Sequence, residues 1–356
     1  MTKMTLASLA RTALALSLMA LLSPLNAAEL PKGTPPVEQM TSYQGADRTA
    51  KLLAAARSEG GELSVYHVYP ALTKVMAAFT REYGITVKPW RSSSEAVLQR
   101  LVTEARSNRL EADLVQNNAP ENEAACREKL LLEVRSPAQA KLIPQAVPAN
   151  HCWVGFAVDV FSAAYNTAKV RVDELPATYR DLLDPKWKGR LGIEADDFGW
   201  FGALSATLGE EQTHKLFREI VAANGISVRK GHSLLANMVA SGEVPLALTT
   251  YSWTPEQLKL KSAPIELHPI APVMAQFSTI AVTKHARHPY TALLFYDFLL
   301  GEGQKVLLDL KFVPTSREYE TPITRLPLHY IDPGMVLQKQ DQWLKDYQDI
   351  VVAPSR

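Results

Sequence analysis

Apolar positions between residues 62 and 127 alternate between two periods. "ELSVYHV", "ITVKPW" and "ADLVQNN" are short runs rich in β-branched and aromatic residues and read as strands. Between the first two, Leu72, Val75, Met76 and Phe79 recur on one helical face that opens near Pro70 and stops at Gly84. Within "RSSSEAVLQRLVTEARSN", Val97, Leu98, Leu101, Val102 and Ala105 form a second stripe, and Ser92 with Glu95 has the spacing of a capping box. Three strand–helix units in about 65 residues predict a mainly parallel sheet covered on both faces. Ligands gather at the carboxyl ends of such strands, so the loops "YHVYP", "WRSSS" and "QNNAP" are the expected floor of a site.

A second set of elements begins near "HCWVGFAVDVFSAAYNT". It continues with helices over 212 to 223 and 233 to 241, and with strands in "PLALTTY" and "IELHPI". After "QFSTIAVTKHA" come a helix started by Pro289 and an aromatic helical tail over 335 to 349. The order predicts an α/β protein of two lobes, with the chain crossing between them more than once. Lobe 1 is expected over residues 62 to 157 plus 276 to 312, and lobe 2 over 158 to 275 plus 313 to 356. Residues 29 to 61, with a Pro/Gly-rich lead and a helix that ends at Gly60-Gly61, form an N-terminal extension.

The first 28 residues change the picture. Lys3 and Arg11 precede the apolar run "ALALSLMALL", and small residues follow at Asn26, Ala27 and Ala28, the layout of a secretory signal peptide. The run is about half of what a membrane span needs. Cleavage after Ala27 or Ala28, with no cysteine there to accept a lipid, predicts a free periplasmic protein that is not embedded in a membrane. The whole chain carries a formal charge of +1, which becomes −1 once the two signal-peptide cations are removed. No global charge directs it to nucleic acid. Cys126 and Cys152 show no metal-ligand spacing; they form one disulfide or remain two buried thiols.

Candidate chemistry collects at strand ends. Ser93 and Ser94 offer hydroxyls and backbone N–H groups at a helix start, a setting suited to an anionic group. Asn117 and Asn118 can orient a polar ligand. "IEADDFGWFGAL" places Asp196 and Asp197 beside Phe198 and Trp200. One of the acids caps the helix over 199 to 208, and the other is free to meet an ammonium group beside an aromatic wall. Tyr251, followed by Ser252 and Trp253, ends the "PLALTTY" strand and is expected to close from above. No GxSxG, HExxH or P-loop occurs; "GHS" at 231 to 233 reads as a helix start capped by Ser233, and "HARH" as a surface turn. No enzyme and no cofactor is expected, a periplasmic hydrolase being the remaining alternative.

Four segments, "VYHVYPALTKVMAAFTREYGITVK", "YNTAKVRVDELPATYRDLLDPKWKGRLGI", "SLLANMVASGEVPLALTTYSW" and "STIAVTKHARHPYTALLFYDFLLGEGQKVL", lie in order over nearly the whole mature chain. They resemble the extracellular solute-binding proteins of ABC importers, in the branch that includes the periplasmic ferric-iron-binding proteins. The resemblance implies a type II periplasmic binding fold, a ligand cleft closed by hinge strands, and an ABC permease with its ATPase as partner of a monomer. In that branch iron is held by a His near the first loop, a Glu after the third strand and two adjacent Tyr. Here His67 lies in that loop while Val68 aligns with the His, Asn118 stands at the Glu position, and the pair reads Tyr251-Ser252. The expectation is therefore a small polar or zwitterionic organic ligand bound by these loops, with His67 and Tyr69 included. The alternative is a metal, ferric iron above all, on Tyr251, Asp196, Asp197 and His67.

Overall fold

A computed structural model describes residues 30–355; the expected signal peptide lies outside the described residues. Strands β1 (Glu62–His67), β2 (Thr86–Arg91) and β3 (Leu114–Asn118) are parallel, as the alternation predicts. The helix Leu72–Tyr83 buries Leu72, Val75, Met76 and Phe79, the residues of its stripe, and Gly84 ends it in the left-handed conformation at φ 72°. The capping box does not form. The helix Ser94–Arg106 starts one residue later than the Ser92 reading requires, and Ser93 caps it by accepting from the Ala96 N–H at 3.3 Å.

The remaining strands are β4 (Val154–Asn166), β5 (Leu191–Glu194), β6 (Ser227–Arg229), β7 (Leu246–Tyr251), β8 (Ile265–His268), β9 (Val273–Val282), β10 (Val313–Pro314) and β11 (Leu328–Tyr330). Spatial order runs β2-β1-β3-β9-β4-β7-β5-β6. Strand β5 is parallel to β6 and β7, while β4 is antiparallel to both β9 and β7. Thirteen residues long and buried throughout, β4 passes from one apolar core to another: Val154 to Val160 belong to the core around β1–β3, and Phe161, Ala163 and Tyr165 to those around β5–β7.

The N-terminal extension is tied down. Its helix Arg48–Ser58 packs on the helix Pro289–Leu300, and Arg48, only 3% exposed, pairs with Asp297 at 2.6 Å while donating to the carbonyls of Met40 and Tyr43. Cys126 and Cys152 form a disulfide, Cα to Cα 5.8 Å, joining the end of the helix Ala119–Arg127 to the lead into β4.

The tail helix Pro333–Tyr347, capped by Asp332, packs along the helix Phe198–Leu208. Contact is closest at Gly202, where an added Cβ would stand 1.9 Å from Cδ2 of the buried Trp343 indole. Both helices must move apart to admit one methyl. Gly202→Ala is expected to lower stability by about 1–3 kcal/mol, read as a lower urea midpoint at unchanged slope; an unchanged midpoint would contradict this packing.

Candidate functional site

The carboxyl ends of the parallel strands in both cores face one cavity of about 840 Å³. From the first core, Tyr69 follows β1, Ser92 to Ser94 follow β2, and Asn118 and Glu121 follow β3. From the second, Glu194 and Asp197 follow β5, His232 follows β6, and Tyr251 ends β7. The tail helix adds Val336, Leu337 and Gln340 along one side.

The acids of "IEADDFGWFGAL" have separate tasks. Glu194 accepts the backbone N–H groups of Asp196 at 2.5 Å and Gly231 at 2.7 Å, so its carboxylate clamps two loops together. Asp196 turns outward to Lys230, 3.1 Å away. Asp197 occupies the position before the helix Phe198–Leu208 without capping it, because its carboxylate faces His232, with Oδ1 3.3 Å from Nε2. One ligating atom from each of Glu194, Asp197 and His232 lies within 4.8 Å of the others. The His232 ring lies 3.8 Å from the Tyr251 ring, and the Tyr251 hydroxyl accepts from the Gln276 amide at 2.7 Å.

Acids on this wall outnumber the cationic partners, Lys230 and His232, that face them. Burial, and then the Asp197 charge, push the Glu194 carboxyl up to about 7. Burial opposes a charged His232, but Asp197, its hydrogen bond and Glu194 together raise the imidazole above its ordinary value. The Tyr251 phenol is driven well up by burial, then by Asp159, Asp197 and Glu194. Asp197 Oδ2 and His232 Nδ1 are sealed from solvent without any hydrogen-bond partner. On the opposite wall, Glu121 Oε2 is likewise sealed and unpartnered, and burial with nearby Glu95 raises its carboxyl to about 7. Five carboxylates line the cavity, Glu95, Glu121, Glu194, Asp196 and Asp197, against the single guanidinium of Arg91.

These shifts set a pH dependence. An acid with a native pKa of about 7 and an ordinary value of 4.5 binds more protons folded than unfolded between those limits. Its contribution to stability is full below about 4.5 and is lost as pH rises towards 7. Without a bound ligand, the chain is expected to melt at a lower temperature at pH 7.5 than at pH 5.5, with a smaller difference in Glu121→Gln. Thermal melts in chelator check this; an equal difference in the variant would contradict the assignment.

Several expected site residues are placed elsewhere. His67 is buried within β1, with Nδ1 3.1 Å from the Tyr69 carbonyl, and does not line the cavity. Asn117 also turns away, donating to the Ser94 carbonyl and accepting from the Asn118 N–H. Ser252 is buried outside the lining. Tyr69 reaches the cavity, but its hydroxyl donates to buried Asp159 at 2.5 Å, a carboxylate that also holds Trp253 Nε1 and Ser278 Oγ. Ser93, Ser94 and Asn118 do line the first wall, with Asn118 donating to Ser94 Oγ. Phe198 and Trp200 line the second wall, although Trp200 is mainly core against Tyr179 and Phe217. Ser233 lies inside the helix His232–Ser241 and caps nothing; Gly231 precedes that helix.

His232, Glu121 and Glu194 line the cavity without having been among the expected site residues. The usable signal for His232 was the strand-end rule, but β6 has only three residues, "SVR", with no alternation to announce it. Glu121 sits in the first turn of the helix Ala119–Arg127, next to Pro120, in the loop whose expected site residues are Asn117 and Asn118.

A curled mixed sheet with two cores and one shared cavity at the strand ends defines the two-lobe periplasmic binding proteins. The chain belongs to the bacterial extracellular solute-binding protein family, whose pattern it matches over residues 74–322. It is 26% identical over 299 residues to iron uptake protein A1 of Synechocystis sp. (strain ATCC 27184 / PCC 6803 / Kazusa), spanning 76% of this chain and 78% of that protein. Over 169 residues it is 27% identical to the Fe(3+)-binding periplasmic protein of Serratia marcescens, covering 47% and 49% of the two chains. Iron-bound HitA from Pseudomonas aeruginosa shares the fold with a TM-score of 0.70 at 23% identity, over 81% of this chain and 99% of that one. The periplasmic binding protein AfuA of Actinobacillus pleuropneumoniae, with fructose-6-phosphate bound, superposes with a TM-score of 0.71 at 19% identity, over 82% and 98%. The family is one of binding proteins, and no helix among the described residues is long and apolar enough to cross a membrane.

Proposed function

We propose that this chain is the periplasmic receptor of an ABC importer and that its cargo is a metal cation, ferric iron foremost. Glu194, Asp197, His232 and Tyr251 bind it, and Glu121 approaches from the facing wall as the lobes close. The observation that carries this reading is the cluster of Glu194, Asp197 and His232, with one ligating atom of each within 4.8 Å of the others, at the wall of a cavity rich in carboxylates. Buried acids that repel one another are costly without a counter-charge, and a cation reverses that cost. Carboxylate and phenolate oxygens with one imidazole suit a hard, highly charged ion. The iron-related names of the two relatives favour the same cargo. This replaces the organic solute as the first reading and moves the metal ligands from His67 and Asp196 to His232 and Glu194.

In this reading the lobes follow the boundaries expected from the sequence, except that Val313 to Ile323 goes with the first core, where β10 pairs with Ala157 and Val158; β4 and β9 act as hinge strands, and a monomer delivers the ion to a permease and its ATPase. Adding ferric iron from a weak chelator is expected to produce a visible tyrosinate charge-transfer band that is lost in Tyr251→Phe. Iron binding with no such band would remove Tyr251 from the ligand set, and no binding would remove the iron.

An organic cargo is the second reading, favoured by the cavity volume and by Ser93 and Ser94 beside Arg91, groups able to meet an anionic solute. AfuA, which shares the fold, was solved with fructose-6-phosphate.

A further inference from the structure

Away from the cavity, three metal-ligating side chains meet where the helix Glu210–Asn224 lies near the tail helix Pro333–Tyr347. Glu210 and His214 are four residues apart and share a helix face. Asp346 comes from the tail helix. A ligating atom of each lies within 4.8 Å of the other two. The His214 ring is stacked on buried Phe201 at 5.4 Å and 10°, which fixes the plane of its nitrogens. Gln342 donates to Glu210 Oε1 at 3.0 Å and so orients that carboxylate.

One imidazole and two carboxylates form a mixed nitrogen and oxygen set of the kind that takes a borderline divalent cation, with a fourth position left for water. Zinc–ligand bonds of about 2.0–2.2 Å require the donors to draw slightly closer, and rotation of the exposed Glu210 and half-buried Asp346 side chains supplies that movement. The set is distinct from the cavity cluster in residues, and it shares no side chain with the proposed cargo site.

We propose that Glu210, His214 and Asp346 form a zinc-class divalent-cation site that pins the tail helix to the second core. The tail helix matters to the cavity. Tyr347, next to Asp346, donates its hydroxyl to the Glu194 carbonyl, and Gln340 on the same helix lines the cavity. A cation at this junction therefore holds in place the helix that supports a cargo ligand.

The test is calorimetric titration of Zn²⁺ into chelator-stripped protein, with Asp197→Asn as the background that disables the cavity cluster. Zinc is expected to bind this background with one equivalent and to raise its melting temperature. His214→Ala and Asp346→Asn, each added to it, abolish both effects, and Gln342→Ala weakens zinc about 10-fold, as loss of an orienting partner does. If Asp346→Asn, a partly exposed change that leaves the Phe201 packing intact, retains the full equivalent, the site is refuted. The same holds if the background binds no zinc.

Discussion

Asp197→Asn is expected to weaken cation binding by roughly two to three orders of magnitude. The carboxylate is buried, pairs with His232 through one oxygen and leaves the other unpartnered. Removing one member of a buried charge set costs roughly 3–5 kcal/mol, and each 1.4 kcal/mol is about tenfold in Kd. Amide replacement keeps the shape while withdrawing the charge, so the loss reports electrostatics and ligation rather than packing. Ser233→Ala, at a residue that also lines the cavity but offers the ion no anionic donor, is expected to bind within about twofold of the parent chain. Titration of both variants with the same ion separates the cases. Equal affinity in Asp197→Asn and the parent would remove the second wall from the site.

Asp297→Ala is expected to give the largest loss of stability. Asp297 accepts from Arg48 Nε and from Ser136 Oγ, both at 2.6 Å, and Arg48, at the start of the helix of the N-terminal extension, is almost fully buried. Alanine leaves a guanidinium in the interior without its counter-charge, at a cost of about 3–5 kcal/mol. The double change Arg48→Met with Asp297→Ala removes both charges and is expected to recover most of that loss. Denaturant unfolding of the three chains forms the comparison; a double variant no more stable than Asp297→Ala would show that the pair is not what holds the extension down.

Much of the fold was legible along the chain, because its first core is built from strong local signals. The Leu72 to Phe79 stripe ended by Gly84 and the helix started by Pro289 are found in the structure as the pattern implies. The helix starts were less legible. Three consecutive serines at 92 to 94 all qualify as caps, and only the three-dimensional path of β2 selects Ser93. The long strand β4 shows no alternation because both of its faces are buried, so its passage from one core to another could be inferred only from chain order.

The site was legible in its regions and less so in its ligands. Asp197 and Tyr251, which line the cavity, stand out along the chain because a surplus acid and a strand-end phenol are local features. His232 and Glu194 become partners only through the parallel pairing of β5 with β6, whose register places Glu194 opposite Arg229. Sequence distance hides that neighbourhood. His67 misled for the complementary reason: a histidine at a strand end near a candidate loop is equally suited to the core, and the alternation of β1 directs it there.

Native mass spectrometry of the mature protein isolated gently from the periplasm, compared with its denatured mass, tests the proposal of a metal cation on the second wall of the cavity. An excess matching one iron is expected, lost in Asp197→Asn and in Tyr251→Phe. An excess matching an organic molecule and retained in Asp197→Asn would contradict it and would return the cavity to the Ser93 and Ser94 wall.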